Sequence, residues 1–237
     1  LNQQDVPNEI IIIKNGYLDK KLEDFLIEIK FLYQTHLIHL EKNTGLANAL
    51  NIGIQYSKNN LIARIDPGDL VINNRFYIQK AYMDLNTDVS ICGSFANEIY
   101  KKNTALLKKP TSHSKIINGI RFKNPIIHST VMFKKIEIQK IGSYPVIDRC
   151  QDYFLWVKCF ENGYFFYNIP KALIEVQLDM QMMERRGLTY YKNELHIYKY
   201  MLSKKIINFT NFLILSIYRF ILRIIPTSLK ILIYRLR

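Results

Sequence analysis

An α/β fold built on a doubly wound sheet is what this 237-residue sequence predicts, and three observations predict it. Ile10 to Ile13 form an unbroken apolar run, the mark of a strand buried on both faces of a parallel sheet. A helical stripe and a second short apolar run follow, so the chain opens in strand–helix–strand order. Residues 43–69 then carry a glycine-containing loop, an amphipathic helix and a strand that ends in an acidic turn.

The elements follow in order. Glu9 to Ile13 is the first strand. Leu18, Leu22, Phe25, Leu26, Ile29, Leu32 and Tyr33 recur at helical spacing. Leu37 to Leu40 is the second strand. Asn43 and Gly45 open a helix with the face Leu46, Ala49, Leu50, Gly53 and Ile54, and Lys58, Asn59 and Asn60 end it. Leu61 to Ile65 is the next strand, and Asp66 and Asp69 sit at its carboxyl end, where open α/β sheets bind ligands. Two carboxylates there suit a divalent cation and, through it, a diphosphate. The alternative is a plain polar turn with Asp66 capping the next helix. Asn74 to Leu85 reads as that helix and Val89 to Phe95 as a strand. The second half is mixed, with strands near Thr130 to Phe133, Tyr164 to Asn168 and Ala172 to Gln177, and a helix from Asp152 to about Gly163.

Composition narrows the function classes. Hydrophobic residues at 49% and charged residues at 22% are globular values. Cys92, Cys150 and Cys159 form no CxxC pair, so neither a disulfide framework nor a zinc site is expected, which fits a reducing compartment. The start is polar and has no signal-peptide pattern, and no GxxxxGK[ST] loop occurs. Of the net charge of +13, +8 lies in residues 195–237, which contain no Asp or Glu. A nucleic-acid-binding domain concentrates its charge on a folded face with stacking aromatics, so no nucleic-acid partner is expected.

Two units are expected, residues 1–195 and a basic amphipathic tail, 196–237. The apolar run Ile206 to Tyr218 is shorter than the ~20 residues that cross a bilayer. Arg219 and Arg223 stand at i, i+4, and Pro226 divides the tail into two helices. The expectation is an interfacial anchor on an anionic membrane surface. A spanning helix over 206–225 and a helix packed on the main domain are the alternatives.

The run Asn43, Gly45, Ala49, Asn51, Gly53, followed by Arg64, Asp66 and Asp69, resembles the N-x-G-x-x-x-A-x-N-x-G and R-M-D-A-D-D elements of family-2 glycosyltransferases. A second match, Gln151-Asp152-Tyr153-Phe154-Leu155-Trp156, is similar to that family's E-D-Y-x-L-W. The likeness runs from residue 1 to about 190 and is nearest the bacterial branch that builds exopolysaccharide and O-antigen units. It implies a GT-A-type mixed sheet and an inverting transfer of a hexose from a nucleotide-sugar donor to a lipid-linked saccharide. The place implied is the cytoplasmic face of the membrane, with the protein peripheral. Asp152 takes the role of catalytic base. A hydroxyl acceptor needs a carboxylate to remove its proton, and the first turn of a helix favours the ionised form. Asn15, Gly16, Asn43, Gly45, Arg64 and Asp66 take nucleotide-sugar roles. Arg185 and Arg186, similar to an Arg-Arg-Gly-Gly element, would assist departure of the diphosphate. His128, in Asn124-Pro125-Ile126-Ile127-His128, and Trp156 are assigned to the acceptor side.

The departures matter as much. Gly68 stands where the family has its usual metal ligand, so Mg2+ or Mn2+ at Asp66 and Asp69 is weakly supported. Gln151 replaces a Glu and Asn15 an Asp. Against the family's pattern the chain also begins near the end of the first helix, which suggests a fragment. A catalytically inactive remnant or membrane-bound partner subunit is therefore the alternative reading.

Overall fold

The structure, a computed structural model, describes residues 7–32, 35–100, 103–177 and 187–225. The isoleucine run becomes β1, Ile10–Asn15, and α1, Lys20–Leu32, returns the chain to β2, Thr35–Leu40, which pairs with β1 in parallel. Asp19 starts α1, its carboxylate accepting from Leu22 N at 2.9 Å. α2, Leu46–Tyr56, begins at the Gly45 loop and lays Gly53 against Ile13, 3.7 Å from where a Cβ would stand. β3, Leu61–Ala63, then leads into the acidic turn.

A second sheet carries the rest. It contains β4, Leu70–Val71, β5, Val89–Tyr100, β6, Asn103–Leu107, β7, Met132–Lys134, and β8, Phe165–Gln177. Its order is β3-β7-β5-β8-β4, with β6 on β5, and β5 and β8 run parallel while the other pairs are antiparallel. The helices are α3, Arg75–Leu85, α4, His113–Ile120, α5, Lys135–Lys140, α6, Gln151–Glu161, α7, Leu188–Ser203, and α8, Phe209–Ile224. One face buries Met83 with Val89, Cys92 and Leu173. The other buries Ile91, Ile116, Phe133, Leu155 and Trp156 in the larger core. All three cysteines are buried and free.

Three expectations change. β1 and β2 form a two-stranded sheet separate from the larger one among the described residues. The Glu9 carboxylate accepts from Lys58 N at 2.8 Å and from Asn59 Nδ2 at 2.8 Å, tying β1 to the end of α2. The two short strands expected at 164–168 and 172–177 are one, β8. Ile169 pairs with Ser94 and Ala172 with Phe95, so Pro170 and Lys171 form a bulge that absorbs the missing proline N–H. The expected boundary at 195 falls inside α7, whose Ile197, Tyr198 and Met201 lie in the main core with Ile207 and Leu215. The tail up to Ile225 is part of the same packed body. Pro226 and the residues after it lie outside the described residues.

Candidate active site

Asp66 to Asp69 form a turn closed by Asp69 N donating to Asp66 O at 3.2 Å, with Pro67 and Gly68 at its centre. Gly68 has φ +92°, the left-handed backbone that a Pro-Gly type II turn requires at its third residue. The missing family carboxylate thus has a local counterpart: this turn holds position 68 in the left-handed region, which favours glycine. Nothing crowds the space above Gly68, but an aspartate there would carry backbone strain.

Arg64 is the electrostatic centre. It is buried, its Nη2 pairs with Asp66, and its Nε and Nη1 have no partner. Its charge acts on Asp69, His128, Tyr144 and Asp152. Burial raises Asp69 above the ordinary carboxylate range, a Ser129 hydrogen bond opposes this, and its Oδ2 is buried without a partner. Beneath the turn lies Arg75, fully buried, donating through Nη2 to Arg64 O at 2.8 Å and Val131 O at 3.1 Å, and through Nε to Gln79 at 2.7 Å. Gln79 in turn donates to Cys92 O at 2.8 Å and Thr130 O at 2.9 Å. Burial, then the like charge of Arg64, lowers Arg75 to about 9. Orphaned buried donors and a carboxylate are expensive, and here they gather at one strand end.

Asp152 approaches from α6. Cys150 enters the helix with φ +64° and sets Asp152 in its first turn. Desolvation raises the Asp152 carboxyl, while hydrogen bonding by Tyr153 N–H, the charge of Arg64 and Asn124 hold it down. Asn124 Nδ2 donates to Asp152 Oδ2 at 2.6 Å. Behind it, His128 Nε2 shares a hydrogen bond of 2.9 Å with Tyr144 Oη, and burial with the Arg64 charge keeps His128 neutral well below its ordinary value. Asn51 of α2 holds the Tyr144 backbone at both ends, at 2.9 and 2.8 Å.

The structure thus brings together Arg64, Asp66, Asp69, His128 and Asp152. Asn15, Gly16, Asn43 and Gly45 form a neighbouring loop cluster. Asn15 Oδ1 accepts from Thr44 N at 2.8 Å, and its Nδ2 donates to Asn43 Oδ1 at 3.2 Å and to Gly45 O at 3.3 Å. In this structure Asn15 stitches the loop that opens α2. Gly16, at φ +95°, lies so close to Asn43 N that a Cβ would meet it at 3.0 Å. Trp156 is a correction: it is fully buried, its ring edge against His128 at 6.2 Å, and it cannot touch an acceptor sugar. The periodicity of α6 places that position on its core face. Arg185 and Arg186 lie outside the described residues. Asn124, Tyr144, Arg75 and Gln79 were given no role from sequence. Arg75 and Gln79 carried a signal, a polar i, i+4 pair on a helix face that is otherwise buried.

No cluster of three or more metal-ligating side chains occurs among the described residues. Asp66 pairs with Arg64 through Oδ1, and Asp69 Oδ2 is buried without a hydrogen-bond partner. That set is no cage, but it fits a Mg2+ or Mn2+ that arrives with phosphate oxygens, because such ions are commonly held by one or two carboxylates plus the substrate.

The chain is 30% identical over 237 residues to the amylovoran biosynthesis glycosyltransferase AmsE of Erwinia amylovora, covering 99% of this chain and 89% of that protein. It is 31% identical over 232 residues to the UDP-Gal:alpha-D-GlcNAc-diphosphoundecaprenol beta-1,3-galactosyltransferase of Escherichia coli, covering 97% and 84%. Among solved structures, S. aureus TarS superposes with a TM-score of 0.67 at 13% identity, over 93% of this chain and 39% of that one. The mannosyltransferase PcManGT from Pyrobaculum calidifontis, in complex with GDP-Man and Mn2+, gives 0.61 at 14% identity, over 84% and 57%. Residues 1–142 match the profile of Glycosyl transferase family 2. That match spans more than half of the chain: the chain belongs to glycosyl transferase family 2 and is a glycosyltransferase of GT-A fold.

Proposed function

We propose that the chain transfers a hexose from a nucleoside diphosphate donor to a lipid-linked saccharide, with inversion, at the cytoplasmic face of the membrane. The observation that carries this reading is Asp152. It is a desolvated carboxylate fixed through one oxygen by Asn124 and acted on by the charge of Arg64, which itself pairs with Asp66 of the acidic turn. The E. coli relative, by its name, uses UDP-Gal and a diphosphoundecaprenol-linked acceptor, which supports the donor and acceptor classes.

In this reaction Asp152 takes the proton of the acceptor hydroxyl as the new oxygen–carbon bond forms at the anomeric centre. The bond from that carbon to the phosphate oxygen breaks on the opposite side, its electron pair leaving with the nucleoside diphosphate. Attack opposite the leaving group inverts the configuration. The unpartnered Nε and Nη1 of Arg64 suit the anionic donor. Arg185 and Arg186 follow in sequence as further cations for the diphosphate. A Mg2+ or Mn2+ held by Asp69 with the donor's own oxygens would offset charge on the departing diphosphate. His128, neutral and tethered to Tyr144, positions the wall of the acceptor side.

Asp152→Asn tests the assignment. It keeps the shape and the contact with Asn124 but cannot accept the proton, so transfer to a lipid-linked acceptor falls by about 100-fold or more. Donor binding and the thermal transition stay near those of the parent. Turnover within a few-fold of the parent would refute the role of Asp152. The second reading, a chain that binds the nucleotide without turnover, draws on the Arg64–Asp66 pair and on Gly68. A parent protein that binds UDP and transfers nothing in the same assay establishes it.

A further inference from the structure

Helix α8 is amphipathic the wrong way round for a helix that faces water. Its arginines turn inward. Arg223 donates to both Glu194 oxygens at 3.0 and 2.8 Å and lies over the Tyr190 ring at 4.4 Å. Arg219 donates to Tyr198 Oη at 3.0 Å and to Phe122 O at 2.7 Å. The outward face is Leu213, Ile214, Ile217, Tyr218, Ile221 and Ile224, each 42–59% exposed, and no exposed residue of the helix is charged. An uninterrupted apolar face of about three turns is what a soluble surface avoids unless something covers it.

We infer that this face docks on an anionic lipid surface, with α8 lying in the plane of the interface. Charge complementarity selects the occupant. The chain past the helix is apolar and basic, with Lys230, Arg235 and Arg237 and no acid. Arg219 ties α8 to Phe122, which is exposed between exposed Arg121 and Lys123. An apolar strip beside exposed Arg121 and Lys123 matches acyl chains below anionic headgroups. The 16 residues of α8 extend about 24 Å, and no helix among the described residues is long and apolar enough to cross a membrane. Lying in the interface is the geometry that remains for it.

The location is as informative as the composition. Phe122, held by Arg219, is two residues from Asn124, which holds Asp152. The lipid-facing strip and the carboxylate proposed as base therefore sit at two ends of one short loop, and a lipid-anchored acceptor would arrive on the Asp152 side.

The test is flotation of the full chain with vesicles of phosphatidylglycerol and phosphatidylethanolamine. The parent floats. Ile214→Glu/Ile217→Glu/Ile221→Glu lowers the bound fraction at least tenfold and leaves the thermal transition unchanged, because all three side chains face outward. Vesicles of phosphatidylcholine alone bind the parent less well. Docking stands on this helix and not on the chemistry of transfer, so Asp152→Asn floats like the parent. A parent that stays at the bottom of the gradient overturns the inference, as does a triple variant that floats unchanged. A parent that is dimeric by light scattering and does not float, with a monomeric triple variant, assigns the face to a second copy instead.

Discussion

Single residues set the chemistry through their neighbours. Asp152 is raised first by desolvation, and Asn124 is among the groups that oppose the rise. A base works only when ionised, so transfer is lost as the pH falls through a midpoint that burial has moved upward. Asn124→Ala removes one stabilising donor, moves that midpoint further up and lowers the maximal rate on the order of tenfold. The pH profile of kcat measures both. A variant with lower rate and an unmoved acid limb would make Asn124 a packing residue only. At this scale the sequence was legible in position, since Asp66 and Asp69 do share one turn and Asp152 does stand in the first turn of a helix. Trp156 was not, because an aromatic in a catalytic motif reads alike whether it lines a cleft or supports one from behind. Gly68 appeared as a loss, and only the positive φ of the turn after Pro67 shows why the position favours glycine over a carboxylate.

Among elements, α3 does more than cover the sheet. Its Arg75 and Gln79 reach four backbone carbonyls, those of Arg64, Val131, Cys92 and Thr130, and so bind β5 to the end of β3 and the start of β7 under the acidic turn. Arg75→Met fills the volume but leaves Arg64 O and Gln79 Oε1 without their donor, and about 3 kcal/mol of stability is expected to go. Urea denaturation reads this, and loss of less than about 1 kcal/mol would mean that water replaces the guanidinium. The strands rich in isoleucine, the Gly45 loop with α2, and the α6 segment were legible because their periodicity is strong. β6 and α4 were not. β6 is a largely exposed strand, Asn103–Leu107, whose pairing with β5 rests on cross-strand bonds instead of an apolar pattern. α4 is two turns long, too short for a period to declare itself.

Over the whole molecule, the described part of the tail is structural as well as exposed. Glu194 is 4% exposed and is neutralised by Arg219 and Arg223, while Ile207 and Leu215 complete the main core. Removing everything after residue 205 leaves a buried carboxylate without its cations, a loss of about 3–5 kcal/mol before any apolar surface is counted. The 1–205 chain is therefore expected to lack a cooperative thermal transition, and a melt like that of the parent would show that the tail is an appendage after all. The sequence alone suggested an appendage because its charge and hydropathy change together near 195. That shift marks where the outward surface changes character, and the packed body continues to Ile225.

The buried cysteines carry a practical consequence. Cys92 and Cys150 have thiols pushed up to about 12, and Cys159 is raised as well, in each case first by desolvation. None is accessible, and none forms appreciable thiolate at neutral pH, the form that reacts with maleimides. The native chain is thus a silent background for site-directed labelling. A single cysteine placed on the outward face of α8 would carry the only reactive sulfur in the protein, and an environment-sensitive dye attached there would report its surroundings without any native thiol first being removed.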